Sequence, residues 1–203
     1  MTNVLRAKLL MLGDSCVGKT AIIQQFINSG AAFPKNYSMT LGADVQTKTI
    51  NIPDTSDVVE LTMIDCSGKT INNDILTKLA QGTSLVVAGE TFQVTLPLLI
   101  ILHQFFLVID VTREDSVSEA KSWIGSLLEG KTVPGVILAN KTDLTERRTV
   151  PAKLGLDLAS SLKMQYFECS AKDNVGVEEV FFYLANEFHK LHAEQASNIA
   201  SIA

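Results

Sequence analysis

Gly13-Asp14-Ser15-Cys16-Val17-Gly18-Lys19-Thr20 stands between the apolar run Leu5–Leu12 and a helical pattern near Thr20–Asn28. A Gly-x-x-x-x-Gly-Lys-Ser/Thr string in that position has a mechanical reading. Its glycines let backbone N–H groups turn inward, and the helix that follows adds its positive N-terminal end, so the loop makes a cradle for phosphate oxygens. The expectation is that Gly13, Asp14, Ser15, Cys16, Val17 and Gly18 form the cradle. Lys19 then reaches the β- and γ-phosphates and the Thr20 hydroxyl ligates Mg²⁺. A chance glycine turn has no reason to fall between a strand and a helix, where this mechanism requires it.

Outward from the loop, apolar runs alternate with helical patterns, which predicts βαβ units around a mostly parallel sheet with helices on both faces. Val45–Ile52 and Val58–Ile64 read as strands joined by the turn Pro53-Asp54-Thr55-Ser56. Phe105–Val111, Gly135–Ala139 and Tyr166–Cys169 read as further strands. Ser116–Leu128, Ala152–Leu162 and Val177–His192 read as helices, the last with an apolar stripe at Val177, Val180, Phe181, Leu184 and Phe188. The class is α/β, of the P-loop NTPase kind, with ligands at the carboxyl ends of the strands.

Two further strand ends carry chemistry. Asn140-Lys141-Thr142-Asp143 follows Gly135–Ala139. Asp143 can accept from N1 and the exocyclic amine of guanine, a donor pair that adenine lacks, and buried bonds of this kind reject the wrong base strongly. Asp65-Cys66-Ser67-Gly68 follows Val58–Ile64. There Asp65 can hold Mg²⁺ and the Gly68 N–H can meet a γ-phosphate, which makes the next segment sensitive to hydrolysis. Thr40 lies between the first helix and second strand and can complete the Mg²⁺ shell. Ser170-Ala171-Lys172 follows the last strand, where the Ala171 N–H can meet the guanine carbonyl. The expected ligands are GTP or GDP with Mg²⁺. Lys19, Thr40 and Gly68 are the catalytic set, and Thr20, Thr40 and Asp65 the metal set.

Composition narrows the rest. With 203 residues, 46% of them apolar, the chain suits one domain with a full core. A net charge of −5 and no block of Lys or Arg argue against a nucleic-acid surface. Cys16, Cys66 and Cys169 offer no disulfide or zinc spacing, which fits a reducing, cytoplasmic setting. No signal core precedes the first strand, and no Cys follows Cys169, so no prenyl anchor is expected. His189 and His192 read as a solvated helix end.

Five motifs in this order resemble the small GTPases of the Ras superfamily. The segment with Phe33, Tyr37, Thr40 and Gly42 is Rab-like. The resemblance implies that Phe33 packs on the edge of the base, that Lys141 lies along its face, and that nucleotide state orders or releases Phe33–Gly42 and Asp65–Asn73. Gly30-Ala31-Ala32-Phe33, Ile52-Pro53-Asp54-Thr55, Pro134-Gly135-Val136 and Asp65-x-Ser67-Gly68-Lys69 look like the Rab-like GTPase subunit of intraflagellar transport complex B. That resemblance implies a small β-sandwich partner, other complex B subunits, and a role in cilium or flagellum assembly and cargo export. An exchange factor and a GTPase activator are further implied partners. A membrane-traffic Rab and a GTP-binding structural subunit that does not cycle are the alternatives. One departure matters: Lys69 stands where a Gln normally orients the attacking water. A charged Lys is donor-only, so slow hydrolysis is expected.

The interval from Asp65 to Asp110 is about nineteen residues longer than a Rab-like pattern allows. The excess falls near residues 86–104, and cutting it joins Ser84-Leu85 to Phe105–Asp110. The apolar part, Leu96–Ile109, has about 14 residues against the ~20 of a membrane span. Val86 is encoded by a codon beginning GT and Gln104 can be CAG, so the stretch reads as a retained in-frame intron or a gene-model error, with a hydrophobic partner loop as the alternative, and no function is placed on it.

Overall fold

Strand β1 (Val4–Leu12) carries apolar side chains at both odd and even positions towards its end, and both sets are buried. Successive side chains of a strand point to opposite faces, so this strand must be covered on both sides, as in a parallel sheet flanked by helices. The computed structural model describes residues 2–31, 33, 38–68, 103–128 and 135–200. After β1 come α1 (Lys19–Ile27), β2 (Ala43–Asn51), β3 (Val58–Cys66), β4 (His103–Asp110) and α2 (Asp115–Leu128). These are followed by β5 (Gly135–Asn140), a 3-10 turn (Thr145–Arg147), α3 (Ala152–Leu162), β6 (Gln165–Glu168) and α4 (Val177–Ala200).

The six strands lie in the order β2-β3-β1-β4-β5-β6. β2 runs antiparallel to β3, and every other pairing is parallel. Leu9, Met11, Phe106, Val108, Val136 and Leu138 face Ile22 and Phe26 of α1 and Phe181, Leu184 and Phe188 of α4. Leu10, Leu12, Leu107, Ile109, Ile137 and Ala139 face Val117 and Ala120 of α2 and Leu158 and Ala159 of α3. The Phe181 ring stacks on Phe26 at 3.9 Å and lies 5.1 Å from Phe106. Each such buried side chain contributes about 1.5–3 kcal/mol. The parallel register brings the ends of β1, β3, β4, β5 and β6 to one edge of the sheet, where their loops meet.

Beyond shifts of one or two residues at other boundaries, two elements and one residue differ from the sequence expectation. β3 runs two residues past Ile64, because Asp65 and Cys66 continue the ladder with Asp44 and Ala43. Asp65 therefore projects from a strand and not from a loop. α4 continues to Ala200, eight residues beyond the expected end at His192, through Ala193-Glu194-Gln195-Ala196, a run of strong helix formers with no Gly or Pro stop. His189 is not solvated. Its ring Nε2 lies 2.9 Å from Asp57 Oδ2, and Asn3 Nδ2 donates to Asp57 Oδ1 at 2.9 Å. The pair ties α4 to the β2–β3 turn, and only His192 is exposed. The expected insert near 86–104 lies outside the described residues, except that the backbone of His103 and Gln104 pairs with Lys8 and Leu9 and opens β4.

Candidate functional site

The loop Gly13–Thr20 links β1 to α1 at the carboxyl edge of the sheet. Gly13 and Gly18 have φ of 136° and 105°, conformations that glycine adopts without strain. Space also demands glycine. A Cβ on Gly13 would stand 2.4 Å from Val108 O, and one on Gly18 would stand 2.2 Å from Asn140 Nδ2. Lys19 is buried, and its Nζ donates to Gly13 O and Asp14 O, both at 2.8 Å. Burial lowers its pKa, and the charge of Asp65 works against that shift.

Thr20, Thr40 and Asp65 converge. The Thr20 hydroxyl donates to Asp65 Oδ2 at 2.5 Å, the Thr40 hydroxyl reaches the same oxygen at 3.2 Å, and the two hydroxyls are 3.0 Å apart. Asp65 is 2% exposed, and its Oδ1 has no hydrogen-bond partner. Burial pushes its carboxyl up, against the Thr20 hydrogen bond and the charge of Lys19. A buried carboxylate oxygen without a partner, beside two hydroxyls, suits a hard divalent cation that takes oxygen ligands. Among the described residues no group of three or more His, Cys, Asp or Glu offers a competing metal cage. Gly68 lies close against the phosphate loop, since a Cβ there would be 2.2 Å from Ser15 N.

At the other end, Asn140 is buried and joins three segments. Its Nδ2 donates to Val17 O at 2.8 Å, and its Oδ1 accepts from Ala171 N at 3.0 Å and from Cys169 Sγ at 3.4 Å. Ser170 Oγ donates to Asp143 Oδ1 at 2.8 Å, and Lys172 Nζ lies 3.6 Å from Asp143 Oδ2. Lys141, at φ 71°, pairs through Nζ with the buried Asp110 Oδ2 at 2.5 Å. Gln25 Nε2 holds Ala171 O at 2.7 Å.

These groups surround one cleft of about 520 Å³, within the usual size of a small-molecule site. Ser15, Cys16, Gly18, Lys19, Thr20, Phe33, Thr40, Gly68, Asn140, Lys141, Asp143, Ala171 and Lys172 line it. Gly13, Asp14, Val17, Asp65 and Ser170 lie beneath the surface. The Val17 side chain belongs to the core and offers only its carbonyl. Lys69 falls outside the described residues. Sequence reasoning missed Asp110, which holds Lys141, and Arg113, which pairs with Asp14 at 2.8 Å. Asp110 closes an apolar run in the sequence just as Asp65 does, a signal that was available. Arg113 gave none, because 99 residues separate it from Asp14.

Comparison with known proteins agrees with this geometry. A family model described as the Ras family matches residues 8–89 and 87–190. The intraflagellar transport protein 27 homolog of Bos taurus is 37% identical over 194 residues, covering 94% of each chain. Intraflagellar transport protein 27 of Chlamydomonas reinhardtii is 26% identical over 204 residues, covering 97% of this chain and 91% of its own. The Ras-related protein RAB1BV of Beta vulgaris is 30% identical over 190 residues, covering 92% and 78%. The phosphate loop, the strand order and these similarities together mean that the chain belongs to the Ras family of small GTPases, among relatives that include the intraflagellar transport protein 27 homologues.

Proposed function

We propose that the chain is one G domain acting as a GTP-binding switch of intraflagellar transport, with weak GTP hydrolysis of its own. The observation that carries the nucleotide reading is the single cleft in which the phosphate loop, the Thr20–Thr40–Asp65 cluster and the Asn140–Asp143–Ala171 group face one another. Asp143 would read the N1 and amine edge of guanine, Ala171 N–H its carbonyl, and the Lys141 stem one of its faces. Lys19 would place its charge on the outer phosphates, and the Gly68 N–H would meet the terminal one. Thr20, Thr40 and Asp65 would hold Mg²⁺, which when bound neutralises phosphate charge. Thr40 and Gly68 lie within Phe33–Gly42 and Asp65–Asn73, the two segments that would respond to the terminal phosphate. Close by, Met39, Leu41 and Val45 expose apolar side chains, a surface suited to a partner that senses that response.

The transport setting rests on the similarity to the intraflagellar transport protein 27 homologues. On that basis we further propose complex B membership, a small β-sandwich partner and a place in the cilium or flagellum and at its base. The similarity to RAB1BV favours one second reading, a membrane-traffic Rab. Displacement of a fluorescent GDP from the purified chain tests the nucleotide reading: GTP and GDP are expected to compete and ATP is not. Affinity purification of a tagged copy from flagellated cells tests the setting. Recovery of transport-complex subunits supports it, and recovery of Rab escort and vesicle proteins in their place overturns it.

A further inference from the structure

Arg113 belongs to none of the motifs above. The loop after β4 carries it to the outer side of the phosphate loop. There Nη2 donates to Asp14 Oδ2 at 2.8 Å and Nη1 donates to Ser15 O at 3.3 Å. Glu119 Oε2 of α2 lies 3.6 Å from the same Nη2, outside hydrogen-bond range. Burial opposes the charge of Asp14, but the Arg113 hydrogen bond, with help from the Ser15 backbone and Glu119, holds its carboxyl below the usual carboxylate range.

The consequence follows from peptide geometry. A trans peptide is planar, with its C=O and N–H pointing in opposite directions, and no peptide among the described residues is cis. Asp14 O is turned towards Lys19 Nζ, so the Ser15 N–H points away from Lys19, on the side where Gly68 packs. In the next peptide, Ser15 O is held outward by Arg113, so the Cys16 N–H is directed to the inner side, where Ser15 and Cys16 line the cleft. Cys16 itself has φ 63°. That left-handed conformation, set in a turn, suits the concave nest of N–H groups that binds anions. It is unfavourable for a residue with a Cβ and persists only when neighbours hold it.

We propose that Arg113 is a positioning residue for phosphate binding: by gripping the Asp14 carboxylate and the Ser15 carbonyl together, it aims the Cys16 N–H at the phosphates of the bound nucleotide. The proposal rests on the nucleotide reading above. A planar guanidinium spans two acceptors at a fixed separation, which a lysine ammonium does not. Arg113 also cancels a carboxylate charge that would otherwise repel phosphate through the loop.

The test uses the whole chain loaded with N-methylanthraniloyl-GDP, chased with excess GDP, together with the phosphorus NMR spectrum of bound GDP. Arg113→Ala is expected to release nucleotide about tenfold faster, the effect of losing one charge-assisted hydrogen bond, and to shift a phosphate resonance. Arg113→Lys keeps the pairing with Asp14 and is the variant to use if the alanine chain does not fold. It is expected to release faster than wild type by about threefold, because it cannot also hold Ser15 O. Release of Arg113→Ala at the wild-type rate with unmoved resonances overturns the proposal and leaves the nucleotide reading standing. Full rescue by lysine also overturns it, since charge alone would then suffice. A wild-type chain that takes up no GDP overturns both readings.

Discussion

At Asn140 one buried amide holds the carbonyl of Val17 and the N–H of Ala171, so the phosphate end and the base end of the cleft share a single brace. Gly18 gives that brace its room. Gly18→Ala would push a Cβ to 2.2 Å from Asn140 Nδ2 and strain a φ of 105°. GDP affinity is expected to fall by about ten- to a hundredfold, the cost of a displaced buried hydrogen bond, as read by fluorescence titration. Asp143 tests the base end. Asp143→Asn replaces an acceptor with a donor, so the variant is expected to prefer a base carrying a carbonyl where guanine carries its amine. Competition between GDP and xanthosine diphosphate measures this, and continued preference for GDP would remove Asp143 from the base contact. Asp143 was legible in the sequence because its motif follows a strand. Its helper Ser170 came with the next motif. Arg113 was not legible, because an arginine in a polar turn says nothing about a carbonyl 98 positions upstream.

Among the elements, α4 and the β5–β6 edge show what periodicity reveals and what it hides. The stripe from Val177 to Phe188 placed α4 on the sheet, and Phe181 is fully buried between Phe26 and Phe106. Phe181→Ala is expected to cost about 3–5 kcal/mol, measured as a lower urea midpoint. The period could not show His189 closing on Asp57, since that contact depends on where the β2–β3 turn ends in space. The same holds for Arg148. From the loop after β5 it grips both carboxylate oxygens of Glu168, and Tyr166 donates to one of them at 2.6 Å. The Arg148 hydrogen bond lowers the Glu168 pKa, and burial works against that shift. A depressed carboxylate stabilises the fold above its unfolded value of about 4.5 and loses that contribution as pH falls through the folded value. Arg148→Ala is therefore expected to be less stable than wild type at pH 7, with the gap closing on acidification below pH ~4.5. Urea midpoints across that range check it, and a gap independent of pH would rule out the ion pair as its source.

Over the whole molecule, the sheet order and the Ras-family match place this chain among the small GTPases, where Lys69 is the position to test for its effect on hydrolysis. If the residue after Gly68 orients water in such domains, Lys69→Gln is expected to raise intrinsic GTP hydrolysis by about tenfold or more. Single-turnover release of phosphate measures it, and an unchanged rate would mean that hydrolysis depends on another group. The α/β class and the strands flanking the motifs were legible because apolar runs and glycine turns are local signals. The reach of β3 through Cys66 and of α4 to Ala200 was not, because a ladder partner and an unstopped helix set those limits. The position of α4 also has a consequence during synthesis. Its residues Phe181, Leu184 and Phe188 cover β1, β3 and β5, which are all made earlier. A chain leaving the ribosome therefore carries an uncovered apolar face until its last helix arrives. A nascent chain stalled before residue 177 is expected to bind chaperones or aggregate, and His189 cannot meet Asp57, 132 positions back along the chain, until α4 has been made.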